Sequence, residues 1–180
     1  NESTDIDTRW TVAKLETIAD ICFSNVDKKT TTGEAPVALC NYMDVYSNDF
    51  ITAKLDFMPA SASGREIEKF SIQAGDVLVT KDSEDPHDIG VPALVKEDLR
   101  DVLCGYHLAI IRSKSTTLDP EFLMHYFRST RAKKYLYKMA QGVTRFGLTT
   151  AAFQNFPIPL LPIETQVAAT EVLGACRIGE

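Results

Sequence analysis

The stretch Gln73-Ala-Gly-Asp-Val-Leu-Val-Thr80 decides the fold, because it joins a tight turn to a short apolar strand. A brief apolar and β-branched run that follows turn residues is typical of a buried strand. The same pattern occurs downstream at residues 91–95 and 108–111, and upstream at Val37-Ala-Leu-Cys40. We therefore predict a β-sheet whose strands come from the first two thirds of the chain.

The segments between these strands are less regular. Phe50-Ile-Thr-Ala-Lys-Leu-Asp-Phe57 alternates in a way that favours one more strand. Residues 27–33 are polar, and residues 81–90 combine acidic side chains with His87 and a proline, so both segments are predicted to be loops. Residues 66–70 are predicted to form one turn of helix.

Helix signals dominate the last third of the chain. Asp119-Pro-Glu121 supplies an N-cap, a proline at the first helical position and an acidic side chain in the first turn. Ser129-Thr130 begins a second predicted helix that ends at Gly142, and Thr149 or Thr150 begins a short turn. Phe156-Pro-Ile-Pro-Leu160 is predicted to be extended at an edge, because proline lacks the N–H that a sheet interior needs. A last helix is predicted from residue 163 to residue 178.

These segments predict an α/β (α+β) fold with a mixed, curved β-sheet and with helices in the C-terminal third. With 180 residues, of which 44% are hydrophobic, the chain can bury one core. The C-terminal helix is expected to lead into a coiled-coil spacer. Because the chain starts with Asn1 and its last helix runs to the end, we expect it to be a piece of a longer protein.

Composition argues against membrane, secreted and zinc-binding proteins. No apolar run approaches the roughly 18 residues of a membrane span, and the polar, acidic start does not resemble a signal peptide. The four widely spaced cysteines indicate a reducing cytoplasm rather than a disulfide scaffold. Cys104-Gly-Tyr-His107 is half of a zinc-site pattern, but the sequence has no matching second pair, so no metal is predicted.

The charge is unevenly distributed. Nineteen basic against 25 acidic residues give a net charge of −6, the wrong sign for a stand-alone DNA-binding protein. Residues 122–163, however, contain no Asp or Glu and carry +6, so the remainder carries −12. The six basic residues are Arg128, Arg131, Lys133, Lys134, Lys138 and Arg145. This distribution fits either a basic face turned towards an anion or a helix with a solvated charged face.

Five segments in a fixed order resemble a known family. They are Gly75-Asp-Val-Leu-Val-Thr80, Gly105-Tyr-His-Leu-Ala-Ile-Ile-Arg112, Pro120-Glu-Phe-Leu123 with Arg128-Ser129, Gly142-Val-Thr-Arg-Phe-Gly-Leu148, and Ile158-Pro-Leu-Leu-Pro-Ile-Glu164 with Gln166. Together, over residues 10–173, they are similar to the target recognition domain of the specificity subunit of type I restriction-modification systems. The last segment, in which an apolar-proline strand runs into a helix that opens with Glu and Gln, is the most distinctive.

The resemblance implies a non-catalytic, cofactor-free prokaryotic protein of the cytoplasm that recognises a sequence in double-stranded DNA. It also implies several partners: a methyltransferase (modification) subunit, a motor-nuclease (restriction) subunit, and a second recognition domain or a second copy. On this basis we predict a polar segment at residues 1–9 and the target recognition domain at residues 10–162. Residues 163–180 are predicted to be the start of a spacer and assembly helix.

Two features depart from the family pattern. Family members usually carry two recognition domains, which implies that this chain is a fragment, a half-size subunit or part of a fused enzyme. They also usually have Glu and Gln adjacent, whereas this sequence has Glu164-Thr-Gln166. Both side chains still fall within the first turn of the predicted helix, so the second departure is minor.

The sequence lacks the catalytic motifs that rival functions would need. An adenine methyltransferase needs a glycine-rich cofactor loop and an Asn- or Asp-Pro-Pro-aromatic motif, and Asn155-Phe-Pro-Ile158 lacks the proline pair. No phosphate-binding loop of an ATPase is present. Three scattered histidines, His87, His107 and His125, indicate no nucleophile arrangement. The acids of residues 82–88 leave a small metal-dependent nuclease as an alternative, and a protein-interaction module without a DNA role is another.

The candidate DNA contacts lie in and around the basic segment. Arg145 can read guanine through two hydrogen bonds, and Thr144 can bond a phosphate or a base, between glycines that let the backbone approach closely. The alternative for residues 142–147 is an ordinary connecting loop without a DNA contact, in which Phe146 packs in the core. Lys81, at a strand end, is a further candidate, or else a solvated lysine. Phosphate contacts are predicted for Arg131, Lys134 and Lys138, and assembly contacts for Val167 and Leu173, with Ile163 and Cys176.

Overall fold

The computed structural model describes residues 10–114 and 116–177. The helices are α1 (Leu15–Ile18), α2 (Tyr42–Tyr46), α3 (Gly64–Phe70), α4 (Pro120–Phe127), α5 (Thr130–Met139), α6 (Thr150–Gln154) and α7 (Ile163–Arg177). The strands are β1 (Thr11–Lys14), β2 (Ala19–Phe23), β3 (Ala35–Cys40), β4 (Phe50–Ile51), β5 (Met58–Ala62), β6 (Ser71–Ile72), β7 (Val77–Thr80), β8 (Asp82–Ser83), β9 (Pro92–Val95), β10 (Leu99–Cys104), β11 (Leu108–Ser113), β12 (Gln141–Gly142), β13 (Phe146–Gly147) and β14 (Pro157–Leu160).

A five-stranded mixed sheet in the order β2-β11-β7-β9-β4 forms the middle layer. Because successive side chains of a strand point to opposite faces, β7 places Val77 and Val79 in one hydrophobic cluster and Leu78 in the other. The same alternation runs along β11. Both faces of this sheet are therefore buried, which is why its strands are apolar without a polar side.

Helices cover one face of the middle sheet. Phe122, Leu123 and Phe127 of α4, Leu136 of α5 and Phe153 of α6 are buried there. The Phe127 and Phe156 rings stack with their centroids 4.5 Å apart. The C-terminal third thus acts as a helical layer that fixes the sheet from one side.

A four-stranded mixed sheet in the order β5-β3-β10-β6 covers the other face. Its central pair, β3 and β10, is parallel, with Cys40 opposite Cys104 at their C-terminal ends. Both cysteines are fully buried, and burial raises the pKa of each thiol. The second hydrophobic cluster fills the space between the two sheets.

The first and last strands of the domain pair with each other. β1 and β14 run antiparallel, from Thr11 opposite Leu160 to Lys14 opposite Pro157. The prolines of β14 are tolerated because this is a separate two-stranded sheet. α7 follows β14 and packs against α4. Among the residues that the structure describes, no helix is both long and apolar enough to cross a membrane.

The predicted α/β class, with mixed sheet and helices in the C-terminal third, is confirmed. Helix α4 begins as predicted, with the Asp119 carboxylate accepting from the Phe122 amide at 2.7 Å, and Ser129 caps α5 in the same way at 3.2 Å. The coiled-coil spacer and the domain boundaries stay predictions. The polar segment at residues 1–9 and the end of the predicted last helix, residues 178–180, lie outside the described residues.

The prediction of one strand over residues 50–57 is wrong. The strand ends at Ile51, because the chain turns at Thr52, whose carbonyl accepts from the Leu55 amide at 3.2 Å. The adjacent strand lies instead at Met58–Ala62, paired with β3. Helix α5 ends at Met139 rather than at Gly142, which belongs to a strand. The loop prediction for residues 81–90 is wrong at Asp82–Ser83, which form β8 because they pair with β13. The helix α2 and the strands β2, β6, β10, β12 and β13 were not predicted.

Candidate functional site

Loops from five parts of the chain meet at one end of the middle sheet. This loop end comprises residues 24–34, 41–48, 81–91, 105–107 and 140–148. It forms because β2 and β7 of the middle sheet and β3 and β10 of the four-stranded sheet all finish at this end, where β11 begins. Backbone hydrogen bonds join the segments, including Lys81 N to His107 O at 3.0 Å, Tyr106 N to Val26 O at 2.8 Å and Leu148 N to Lys81 O at 2.8 Å.

Thr144 and Arg145 lie at the tip of a hairpin within the loop end. β12 and β13 pair with Gly142 opposite Phe146, and β13 also pairs with β8. Gly142 has a φ of 144°, and a Cβ there would collide with the carbonyl oxygen of Arg145. Glycine is therefore required for this turn. Thr144 and Arg145 are exposed, and Phe146 is half-buried against the first cluster, so the core alternative applies to Phe146 alone.

The guanidinium of Arg145 is held by an acid from another part of the chain. Its Nη2 donates to Asp82 Oδ1 at 2.9 Å, and the other carboxylate oxygen lies 2.8 Å from Nδ1 of His107. The hydrogen bond to Asp82 raises the pKa of Arg145. The Arg145 side chain remains 57% exposed while that of Asp82 is only 16% exposed. The arrangement presents a planar, always-charged donor to solvent on a partly buried carboxylate.

Lys81 lies beneath the loop end. Its Nζ donates to the Ser24 carbonyl at 2.8 Å and lies 5.0 Å from the centroid of Phe23 and 4.8 Å from that of Tyr106. Burial lowers the pKa of this lysine. The ammonium thus already has a carbonyl and two aromatic faces as partners.

The helix α5 presents a basic stripe of Arg131, Lys134 and Lys138. These three side chains are exposed at spacings of three and four residues, while Ala132 and Leu136 are buried on the other side. A single residue, Ala140, separates α5 from the hairpin. The loop of residues 81–91 contacts both elements, through the stacked His87 and Tyr137 rings at 4.2 Å and through β8.

Sequence reasoning missed the aromatic residues of the loop end. Tyr42 and Tyr46 stack at 5.5 Å on α2, and the Tyr46 hydroxyl donates to Asp88 at 2.8 Å. Tyr106 is half exposed and meets His107 edge-on. The available signal was Asn41-Tyr-Met-Asp44, since Asn41 and Asp44 form the capping box that begins α2. No local signal marks Tyr106, because its place depends on the pairing of β10 with β3.

The acids of the loop end do not form a metal site. Asp82 is paired with Arg145 and His107, and Asp88 accepts from Tyr46. In the part of the chain that the structure describes, no group of three or more His, Cys, Asp or Glu side chains could hold a metal ion. The loop end has four basic and seven acidic residues, a net charge of −3, so it offers hydrogen-bond donors and aromatic surface for bases, while the positive charge that attracts phosphates lies on the adjoining helix.

The helix α7 buries a polar face and exposes apolar side chains. Gln166 and Thr170 are buried, whereas Val167 is 41% and Leu173 44% exposed. At 100° per residue, Leu173 falls on the side of Gln166 and Thr170, where it continues the buried face further along the helix. Ile163 is half-buried, and the side chain of Cys176 lies outside the described part.

Comparison with known proteins gives a consistent result. A family model described as the type I restriction modification DNA specificity domain matches residues 8–175. MjaX, a putative type I restriction enzyme specificity subunit of Methanocaldococcus jannaschii, is 22% identical over 167 residues, which are 91% of this chain and 38% of that protein.

Solved structures share the fold. The HsdS subunit from Thermoanaerobacter tengcongensis superposes with a TM-score of 0.66 and 18% identity, covering 98% of this chain and 39% of that one. A chain from a structure of the assembly and conformational transition of the type I R-M system superposes with a TM-score of 0.69 and 18% identity. The match covers 98% of this chain and 40% of that one. The S subunit from M. genitalium superposes with a TM-score of 0.55 and 12% identity, and the match covers 97% of this chain and 40% of that one. This chain therefore spans about two fifths of the length of these proteins.

Proposed function

Because the chain belongs to the family of type I restriction modification DNA specificity domains, we propose that it recognises a specific sequence in double-stranded DNA and catalyses nothing itself. In this role it positions a partner methyltransferase subunit and a partner motor-nuclease subunit on the site. A second recognition domain or a second copy would read the other part of the target. Such a complex would work in the cytoplasm of a prokaryote.

The observation that carries this proposal is the adjacency of two kinds of cation. The hairpin presents one guanidinium held by Asp82, and the helix before it presents a stripe of exposed cations, Arg131, Lys134 and Lys138. Arginine reads base edges through two hydrogen bonds, whereas point charges suit phosphates. We assign base contact to Arg145, with Thr144 beside it, and phosphate contact to the α5 stripe.

Lys81 has the weakest support among the proposed contact residues. Its ammonium is already bonded to the Ser24 carbonyl and packed between the rings of Phe23 and Tyr106. We assign it to the support of Tyr106, whose half-exposed ring is a surface on which DNA can pack. Its contribution to DNA binding is then indirect.

The first test compares Arg145→Ala with Lys134→Ala. Arg145→Ala should weaken binding to the cognate site by about 1–3 kcal/mol and relax discrimination at one base pair. Lys134→Ala should weaken binding to all sequences alike and lower the slope of log K against log salt by about one. The measurement is DNA binding at several salt concentrations, with the methylated sequence motif read in a host that carries the chain and its modification partner.

The two variants are controls for each other, since each removes one positive charge from an exposed side chain. If Arg145→Ala left the preference among sites unchanged, Arg145 would be a phosphate contact and the base readout would lie elsewhere on the loop end. Salt-independent binding to duplex DNA by the unmodified chain would contradict the phosphate contacts of α5.

We further propose that α7 begins an assembly helix and that Val167 and Leu173 are covered by a partner helix. Val167→Asn or Leu173→Asn should weaken assembly about tenfold or more, since burial of such a side chain contributes about 1.5–3 kcal/mol. Stability of the isolated chain should change by only about 0.5 kcal/mol, as for other surface positions. The measurements are sedimentation of the complex and chemical unfolding of the chain.

Val172→Asn is the matched control. It serves as the control for Val167: Val172 is the same residue type, is 64% exposed and lies about 140° around the helix from Val167. It should therefore leave assembly unchanged. Equal losses of folding and assembly in the Val167 and Leu173 variants would show that these side chains belong to the core of the domain.

A further inference from the structure

We propose that Asp82 is a positioning residue for sequence discrimination, which acts by holding the Arg145 guanidinium in one orientation, with His107 as a second brace. This inference rests on the proposed function, because it concerns how the hairpin presents its base-reading group. Asp82 itself would not touch DNA.

The backbone of Asp82 is fixed to the hairpin that it supports. Asp82 and Ser83 form β8, which pairs with β13 so that Gly147 lies opposite Asp82 and Phe146 opposite Ser83. The Leu148 amide also donates to the Lys81 carbonyl at 2.8 Å. Any movement of the hairpin therefore carries the carboxylate with it, and the distance between Asp82 and Arg145 is set by a strand pair rather than by two mobile loops.

His107 completes the support. Its Nδ1 lies 2.8 Å from Asp82 Oδ2 and 3.3 Å from Arg145 Nη2. One ring nitrogen cannot donate to the carboxylate and accept from the guanidinium at the same time. The shorter contact is the one to the charged acceptor, which assigns the proton to Nδ1 and makes both His107 and Arg145 donors to Asp82. Each oxygen of the carboxylate then has one fixed donor.

The support leaves part of the guanidinium for a ligand. Arg145 donates to Asp82 through Nη2, and its 3.3 Å contact with His107 also involves Nη2. Asp82 takes one of the two Nη2 hydrogens, and the other points parallel to an N–H of either Nε or Nη1. One edge of the guanidinium therefore keeps the two parallel donors that a bidentate contact to guanine needs. Asp82 also neutralises the charge of Arg145, so this pair contributes shape and hydrogen bonding rather than general attraction to phosphates.

A fixed guanidinium discriminates better than a mobile one. An arginine that is 57% exposed would lose rotamer freedom on binding if nothing held it beforehand. Loss of the support should therefore weaken the cognate complex about 2- to 10-fold, the effect of ordering one flexible side chain. Sites that Arg145 does not engage should keep their affinity, so the ratio of cognate to non-cognate binding falls by the same factor.

The test is Asp82→Asn, with Glu84→Gln as the matched control. Glu84 is an exposed acid of the same loop, so both variants remove one negative charge near the DNA and should raise non-specific affinity alike. Only Asp82→Asn should lower the cognate to non-cognate ratio. The readouts are competition binding with sites that differ at one base pair, and the methylated motif in a host that carries the chain with its modification partner.

A double-variant cycle separates positioning from a structural effect. With Arg145→Ala already present, Asp82→Asn should cause no further loss of discrimination, because the group that it positions is gone. The inference would be overturned if the two variants caused additive losses of discrimination. It would also be overturned if Asp82→Asn and Glu84→Gln had the same ratio of cognate to non-cognate binding. If Arg145→Ala changes site preference while Asp82→Asn does not, this inference fails and the proposed function stands. If Arg145→Ala changes nothing, the assignment of base readout to Arg145 fails first.

Discussion

Asp76→Ala should lower the free energy of unfolding by about 3–5 kcal/mol, towards the lower end of that range. Asp76 is fully buried at the turn before β7. Its carboxylate accepts two hydrogen bonds from Arg112, Nε to Oδ1 and Nη2 to Oδ2, each at 2.7 Å, and one from the Gln73 amide at 3.0 Å. Alanine would leave the guanidinium without its counter-ion. Arg112 is 38% exposed, so water offsets part of that loss.

The matched control is Asp98→Ala. The measurement is urea unfolding, in which the slope m should be the same for both variants and the unmodified chain. Asp98 is exposed and accepts from the Ala74 amide of the same turn at 3.1 Å. Its loss should lower stability by about 1 kcal/mol or less. Similar losses for the two variants would mean that the buried ion pair does not hold the turn. Gly75, with a φ of 88°, would then be its main determinant.

Gln166→Leu should lower the free energy of unfolding by about 3 kcal/mol, although leucine preserves most of the side-chain volume. Gln166 is fully buried at the start of α7. Its Oε1 accepts from the Asp119 amide at 2.9 Å, and its Nε2 donates to the Thr117 and Leu161 carbonyls at 2.8 Å each. A buried backbone group that loses its partner destabilises a fold by about 1–3 kcal/mol.

Thr165→Ala is the control for this prediction, since Thr165 is exposed in the same helical turn and should change stability by only about 0.5 kcal/mol. Thermal unfolding of both variants is the measurement. If Gln166→Leu were as stable as the unmodified chain, apolar packing rather than the hydrogen bonds would join α7 to the start of α4.

Local signals could be read from the sequence, and pairings between distant segments could not. The start of α4 was predicted because its determinants, Asp119, Pro120 and Glu121, are neighbours in the chain. The strand Leu99–Cys104 was missed because Arg100 and Asp101 interrupt its apolar pattern, and its strand character comes from pairing with β3, about 60 residues earlier.

The candidate site divides in the same way. The position of Arg145 between two glycines could be read locally, and the structure places it at an exposed tip. Its support by Asp82 and His107 joins residues 63 and 38 positions away, which one sequence cannot reveal. Lys81 was predicted as a surface cation for the same reason, because the rings of Phe23 and Tyr106 that contact it lie far from it in the sequence.

The antiparallel pairing of β1 with β14 has a consequence for how the domain can be joined to a longer polypeptide. β1 and β14, the first and last strands of the domain, are direct neighbours. The two ends of the sheet-forming part of the domain therefore lie at the same place. A longer polypeptide could gain, lose or replace the domain there while its own path stays almost unchanged. Replacement of the whole module could then alter the loop end and preserve the attachment.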